Sequence, residues 1–337
     1  MNRIKNLFLN SEFVLALIVI LLFLVIGSQN SAFFSLNNSF DLIRSLIVPG
    51  IFVVCTLIVL ISGGIDVSFP SIATFSMFTT TTILVNMDFQ GSVFVPYLIS
   101  ACIGLLLGLI NAVFIALLKL PTLIVTLGTS AMFSGFLLTF IGDGQIHNLP
   151  PSMANMARTQ IFKITTADGI TVGLPVTVFI TVAIIILVAL VLKFTVIGRS
   201  IYAFGGDPLS AERIGVSPIF TQFFVYCLVG ALAGIAGMSH TIMMRNSNPV
   251  DLLGGELLII AAAVLGGAKI TGGFGTVRGA LLGMILVVTI ENSLILMGIP
   301  SYWQRVVIGA LILIGTGIAA YQLMKSQSKK ENILNQT

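Results

Sequence analysis

"GLPVTVFITVAIIILVALVLKFTVIGRSIYAFGGDPLSAERIGV", Gly173 to Val216, sets the reading of the whole chain. Its first half is an apolar run that ends at Lys193. A membrane-crossing helix needs ~20 such residues, and this run supplies them. Its second half, from Gly198, is a short polar cassette with Arg199, Asp207, Glu212 and Arg213, followed by the next apolar run.

Working outward, the rest of the chain repeats the first half. Of 337 residues, 57% are hydrophobic and 8% are charged, and the mean hydropathy is +1.10. A soluble domain carries about 25% charged residues, so this composition cannot cover a water-facing surface. The chain reads as an all-α, polytopic membrane protein, a single transmembrane domain over 1–337 with no room for a second soluble one. Apolar windows predict ten spans, near 13–29, 42–62, 67–85, 94–118, 122–141, 173–194, 218–241, 252–268, 276–297 and 302–322. Gly142 to Val172 is a longer polar connection, with Pro150, Pro151, Asp168 and Gly169 as turn signals.

Charge sets the expected orientation. Arg3, Lys5, Lys119, Lys193, Arg199, Arg213, Lys269, Arg278, Lys325, Lys329 and Lys330 fall on one set of connections and ends. The other set keeps Arg44, Arg158, Lys163, Arg245 and Arg305. Basic residues gather on the cytoplasmic side. Both termini (1–12 and 323–337) and the cassette at 195–217 are therefore expected in the cytoplasm, with the chain in the cytoplasmic (inner) membrane. The formal charge of +4 comes from segment ends rather than a basic patch, which gives no reason to expect nucleic acid. The run after Arg3 and Lys5 has no small-residue cleavage signature and reads as a retained first helix.

Small residues recur at helix-packing spacing as Gly104/Gly108, Gly230/Gly234 and Gly279/Gly283. Such pairs let backbones approach closely in lipid, although glycine is common in membrane helices generally. "GGIDVS" at Gly63–Ser68 is echoed by "GGAKIT" at Gly266–Thr271, both expected on the same side of the membrane.

Signatures of covalent chemistry are missing. His147 and His240 have no H-E-x-x-H or Cys/His partner pattern, and Cys55, Cys102 and Cys227 have no metal or disulfide spacing. The phosphate-cradling G-x-x-x-x-G-K-[ST] loop is absent, and "GGFGTVRG" at Gly272–Gly279 does not match the dinucleotide fingerprint. No catalytic residue, metal or cofactor is expected. Polar residues within or beside the spans are costly in lipid and mark a path or a structural bond. Glu291 and Asn292 are expected to line a translocation path, whereas Asp66 and Glu256, beside Gly pairs, lean towards structural roles. An ion-coupled carrier would bury more ionisable groups near the midplane, which argues for an energy source outside this chain.

In the cassette, Asp207 suits an N-cap, Pro208 the first helical position and Gly215 the C-terminal stop, with Gly205 and Gly206 as a preceding turn. A helix of under two turns is not stable alone in water. Packing must hold it, either on its own spans or in another protein's groove, with Leu209 and Ile214 as apolar contacts. The residues alone leave those two readings equal.

The stretch "TVIGRSIYAFGGDPLSAERIGV" resembles the cytoplasmic loop of permease subunits from bacterial ribose/xylose/galactose-type ABC importers. "ISGGIDVSFPSI", "LPTLIVTLGTSAMFSGF", "GGELLIIAAAVLGGAKITGGFGTVRGALLGMIL" and "IPSYWQRVVIGALIL" resemble further blocks of that family, in order, from about Ile43 to Ile318. The resemblance implies a permease that translocates a monosaccharide and pairs with a second permease subunit, as a homo- or heterodimer. It also implies a cytoplasmic ATPase with two nucleotide-binding domains and an extracytoplasmic sugar-binding protein. The loop carrying Gly198, Arg199, Gly205, Gly206, Asp207, Ala211 and Gly215 would contact the ATPase. This chain departs from the family at Asp207, where Asn is usual, at Pro70 for Gly, and at Leu258 for a common Asp. A nucleoside or a sugar-derived signal such as autoinducer-2 is the alternative solute, and an ion-coupled secondary transporter the alternative class.

Overall fold

In the computed structural model the described residues are 11–165, 171–298, 300, 303, 306, 309 and 310. Most of the tenth expected span, the tail at 323–337, nearly all of the segment 1–12, and the turn signals Asp168 and Gly169 lie outside them. Helix α1 is Ser11–Gln29, and after one 3-10 turn α2 runs Leu36–Ile61. Then come α3 Phe69–Asn86, α4 Phe94–Ala112, α5 Thr122–Phe136 and the short α6 Pro151–Arg158. Strands β1 Gln160–Thr165 and β2 Thr171–Pro175 precede α7 Thr177–Phe194, α8 Val196–Gly206 and α9 Pro208–Arg213. The described part closes with α10 Pro218–Met244, α11 Glu256–Leu265 and α12 Val277–Leu296. Helices α4 and α5 each continue into one π turn, Val113–Leu117 and Leu137–Ile141.

Among the described residues, seven helices are long and apolar enough to cross a membrane. They correspond to the spans expected at 13–29, 42–62, 94–118, 122–141, 173–194, 218–241 and 276–297. The other two expectations on described residues change character. The one at 67–85 is helix α3, but Ser71, Thr74, Ser76 and Thr79 to Thr82 dilute its hydropathy. The one at 252–268 is the ten-residue α11; it follows a turn in which Gly254 has φ +92°, and at ~1.5 Å per residue it is too short to span. The expectation of pure helix also needs correcting, because β1 and β2 form an antiparallel hairpin. That hairpin and α6 fill the polar connection 142–172, and the window opening at Gly173 begins as strand, not helix.

Helix α2 is the axis of the molecule. Its residues Gly50 to Ile61 are buried in an unbroken run, as expected of a helix that is hydrophobic all round. Its span is 67% buried, against 17% for α1 and 28% for both α5 and α7, which place their apolar faces outward. Helix α10, 27 residues long, is the second central element. Ser217 accepts from Phe220 N at its start, and Arg245 at φ 56° closes its end. The ends of α2 define two ends of the bundle. Near the start of α2, Arg44 Nη2 donates to Gly173 O of the hairpin. At the other end Ile61 O meets Gly273 N at 2.8 Å, beside the cassette.

The small-residue pairs find one another. A Cβ on Gly104 would lie 2.1 Å from Gly230 O, one on Gly230 2.2 Å from Gly104 O, and one on Gly234 2.1 Å from Ser100 O. Ser100 Oγ uses that proximity to donate to Gly234 O at 2.7 Å. Likewise α12 meets the α11 end, where a Cβ on Gly279 would be 2.0 Å from Gly266 O. Gly230→Val therefore forces α4 and α10 apart. Overpacking of this kind costs about 1–3 kcal/mol, and a lowered thermal midpoint of the purified protein is the expected readout.

Candidate functional site

The cassette begins where α7 ends. Thr195 caps α8, its Oγ1 accepting from Gly198 N at 3.0 Å, and buried Gly198 lets α8 turn against the last carbonyls of α7. Arg199 is exposed on α8. Gly205 and Gly206, expected as a turn, are instead the last residues of this helix. Close approach explains the difference: a Cβ on Gly205 would lie 1.7 Å from Ile61 O and 2.9 Å from Gly273 N. Helix α8 thus drives its C-terminal end between the last residue of α2 and the loop that leads into α12. On the far side of this contact, Gly272 has φ +88°, and its Cβ would fall 2.4 Å from Gly205 O and 2.8 Å from Gly63 Cα. Tyr202 Oη clamps the same loop by donating to Gly275 O at 2.7 Å. The first echoed segment, at Gly63, therefore meets the end of the second, at Thr271, whereas Gly266 of the second packs on Gly279.

Asp207 performs the expected capping. Its carboxylate accepts from Leu209 N at 3.1 Å and from Ser210 Oγ, and those bonds, Ser210's foremost, hold it below the usual carboxylate range. The capped helix α9 is six residues long, with Gly215 at φ +89° beyond its end. Ala211 is buried against the body, whereas Leu209 is 70% and Ile214 77% exposed. The helix is thus anchored by its smallest side chain, and Leu209 within it and Ile214 just past its end face outward. Beside it a cleft of about 870 Å³ opens towards the α4–α5 turn, lined by Lys119, Thr122, Phe204, Glu212 and Gln222.

The four polar residues singled out within or beside the spans do not form one cluster. Asp66 is fully buried in the loop between α2 and α3, where its Oδ1 accepts from both Ser68 N and Ser68 Oγ at 2.7 Å. Asn111 of α4 completes this chain by donating to Ser68 Oγ at 2.8 Å. Glu256 accepts from Gly254 N at 3.0 Å and fixes the turn before α11. Both bonds are structural. Glu291 and Asn292 sit half-buried near the end of α12, where Asn292 Oδ1 receives Ser45 Oγ at 3.5 Å. Ser45 and Ile61 are separated by about 24 Å along α2 at ~1.5 Å per residue, so Asn292 and Asp66 occupy opposite ends of the bundle.

A polar seam along α3 escaped the sequence reading. Ser71 Oγ lies 2.5 Å from Ser130 Oγ and accepts from Ser134 Oγ at 3.3 Å, both on α5. Thr74, Ser76, Thr79 and Thr80 keep buried hydroxyls without a hydrogen-bond partner among the described residues. The signal was present as seven hydroxyl side chains in one helix. Among the described residues no group of His, Cys, Asp and Glu could hold a metal ion.

Gly205 is the residue on which the cassette's attachment rests. Gly205→Ala should leave the spans inserted but detach α8 from α2, seen as faster proteolytic cleavage within 195–217 and a lower thermal midpoint. An unchanged cleavage pattern would show that the contact is not needed to hold the cassette.

Comparison with known proteins gives the architecture a context. The ribose import permease protein RbsC of Haemophilus influenzae is 29% identical over 297 residues, 88% of this chain and 89% of that protein. The autoinducer 2 import system permease protein LsrC of Yersinia pseudotuberculosis is 28% identical over 304 residues, 90% of this chain and 83% of that one. No solved structure matches. Residues 38–315, from α2 to beyond α12, match the family described as the branched-chain amino acid transport system / permease component, and to that family this membrane chain belongs.

Proposed function

We propose that this chain is the permease subunit of an ABC importer and carries a monosaccharide of the ribose, xylose or galactose kind across the cytoplasmic membrane. The observation that supports this most is the match to import permeases, RbsC among them, over 88% of the chain. In this reading the chain does no covalent chemistry. ATP is hydrolysed by a cytoplasmic partner with two nucleotide-binding domains. An extracytoplasmic sugar-binding protein delivers the solute, and a second permease subunit completes the pathway. Both chain ends and the cassette face the cytoplasm in this reading, which the bias of Lys and Arg supports.

The cassette is the contact with the ATPase. Leu209 and Ile214 offer the apolar surface that a groove would cover, and capping by Asp207 presets the helix that carries them. Motion of the partner passes through Ala211 and α8 to Gly205, and from there to the ends of α2 and the 271–275 loop. Arg199, exposed on α8, supplies a charge that sets the orientation of docking. Glu291 and Asn292 line part of the path near the opposite end. A specific observation favours a second solute, the autoinducer-2 signal named for LsrC, which is 28% identical over 90% of this chain.

Purification from native membranes provides the first test. An ATPase with two nucleotide-binding domains is expected to co-purify, and uptake should fall on ATP depletion. Its absence, together with uptake abolished by an uncoupler alone, would point to an ion-coupled carrier. Leu209→Asp and Arg199→Ala alter exposed positions, so folding should persist. Each is expected to lower ATP-dependent uptake roughly tenfold, the effect of losing ~1.4 kcal/mol of docking energy.

A further inference from the structure

We propose that the cassette end also holds a binding site for the phosphate of an anionic phospholipid, formed by Lys193 and Arg278. A cavity of about 460 Å³ lies where α7 ends and α12 begins, with the start of α1 and the side of α8 as its other walls. Its lining includes Glu12, Leu192, Lys193, Tyr202, Thr276 and Arg278. Lys193 belongs to the last turn of one span and Arg278 to the first turn of another. Both are exposed, and among the described residues the ion pairs are Asp41–Arg44 and His240–Asp251, so neither cation is in one.

The other polar groups of the cavity are already engaged. Glu12, its one carboxylate, accepts the hydroxyl of Thr276. Tyr202 Oη donates to Gly275 O. Against the single carboxylate of Glu12, the two cations at the ends of two adjacent membrane spans leave the cavity formally net positive, which is the arrangement that attracts lipid phosphate. Lys193 also rests 5.1 Å from the ring centroid of Phe194, the exposed last residue of α7, so the ammonium is held at the apolar boundary. From there Ile186, Leu187 and Leu190 of α7 present an exposed apolar face along the span. An acyl chain can follow that face while its headgroup phosphate bridges the two cations. A free phosphate gains nothing from it, which is why a lipid is the favoured source of the anion.

The test compares thermal midpoints of the intact purified chain in neutral detergent with added phosphatidylglycerol, added phosphatidylcholine, or inorganic phosphate. Phosphatidylglycerol is expected to raise the midpoint above the phosphatidylcholine value. The Lys193→Gln/Arg278→Gln variant should lose that increment while keeping its midpoint in phosphatidylcholine, and Lys193→Arg/Arg278→Lys should retain it. Native mass spectrometry gives an independent readout: phosphatidylglycerol stays bound to the original chain and not to the Gln variant. The proposal is overturned if the Gln variant keeps the increment, if phosphatidylglycerol gives none, or if inorganic phosphate alone reproduces it.

Discussion

Backbone pressed directly on backbone is the contact from which this membrane protein is built. Lipid tails are as apolar as leucine, so helices in a bilayer gain no hydrophobic free energy by meeting one another. They associate through dispersion at short range and through hydrogen bonds, and both need close approach. The chain secures that approach with glycine at several crossings. Gly104 and Gly108 meet Gly230 and Gly234, while Gly237 lies against Ala73 and Gly283 against Ala262. Through these crossings α10 gathers α3 and α4, and α12 gathers α11. Where backbones come this near, a short hydroxyl such as Ser100 can reach a carbonyl of the neighbouring helix.

The spans were legible because hydropathy over ~20 residues measures the property that lipid selects. Seven of them emerge with ends within a few residues of expectation, except at Leu36, where capping by Ser35 starts α2 earlier, and at Gly173, where a strand takes the first residues. The same measure misleads where a helix is buried by protein on all sides. There, α3 can carry seven hydroxyls because neighbouring helices, and not lipid, surround it, and Thr81 and Thr82 bond back to the carbonyls of Met77 and Phe78. Hydropathy also ran past the break at Gly254–Gly255 and merged a turn with ten residues of helix. The hairpin stayed hidden because its strands are short and sit in a polar connection, where register depends on a partner that local pattern does not name.

The candidate site divides in the same way. Asp207, Pro208 and Gly215 act within their own few residues, so capping and termination could be read directly from the chain. The role of Gly205 depends on Ile61 and Gly273, more than sixty residues away on either side in sequence, and nothing local announces it. For the polar residues the lesson is that a charge beside a glycine pair is bound locally. Asp66 and Glu256 both accept backbone N–H groups two residues away, from Ser68 and Gly254, which is how an irregular backbone in an apolar setting satisfies its donors.

These contacts also determine how far a displacement of the cassette can travel. A six-residue helix cannot transmit force by its own stiffness, and α9 has its large side chains turned outward. Its attachment lies through α8, whose end is wedged with no space for even a methyl group between Ile61 O and Gly273 N. Close-packed interfaces of this kind shift as units rather than deform continuously. A movement of α8 therefore either breaks the Gly273 N–Ile61 O bond or carries α2 and the 271–275 loop with it. Because α2 is the most buried of the seven spans and the loop opens directly into α12, the second course moves the axis of the bundle and one of its long spans together. The glycines that make the core compact thus also make the cassette a rigid handle on it.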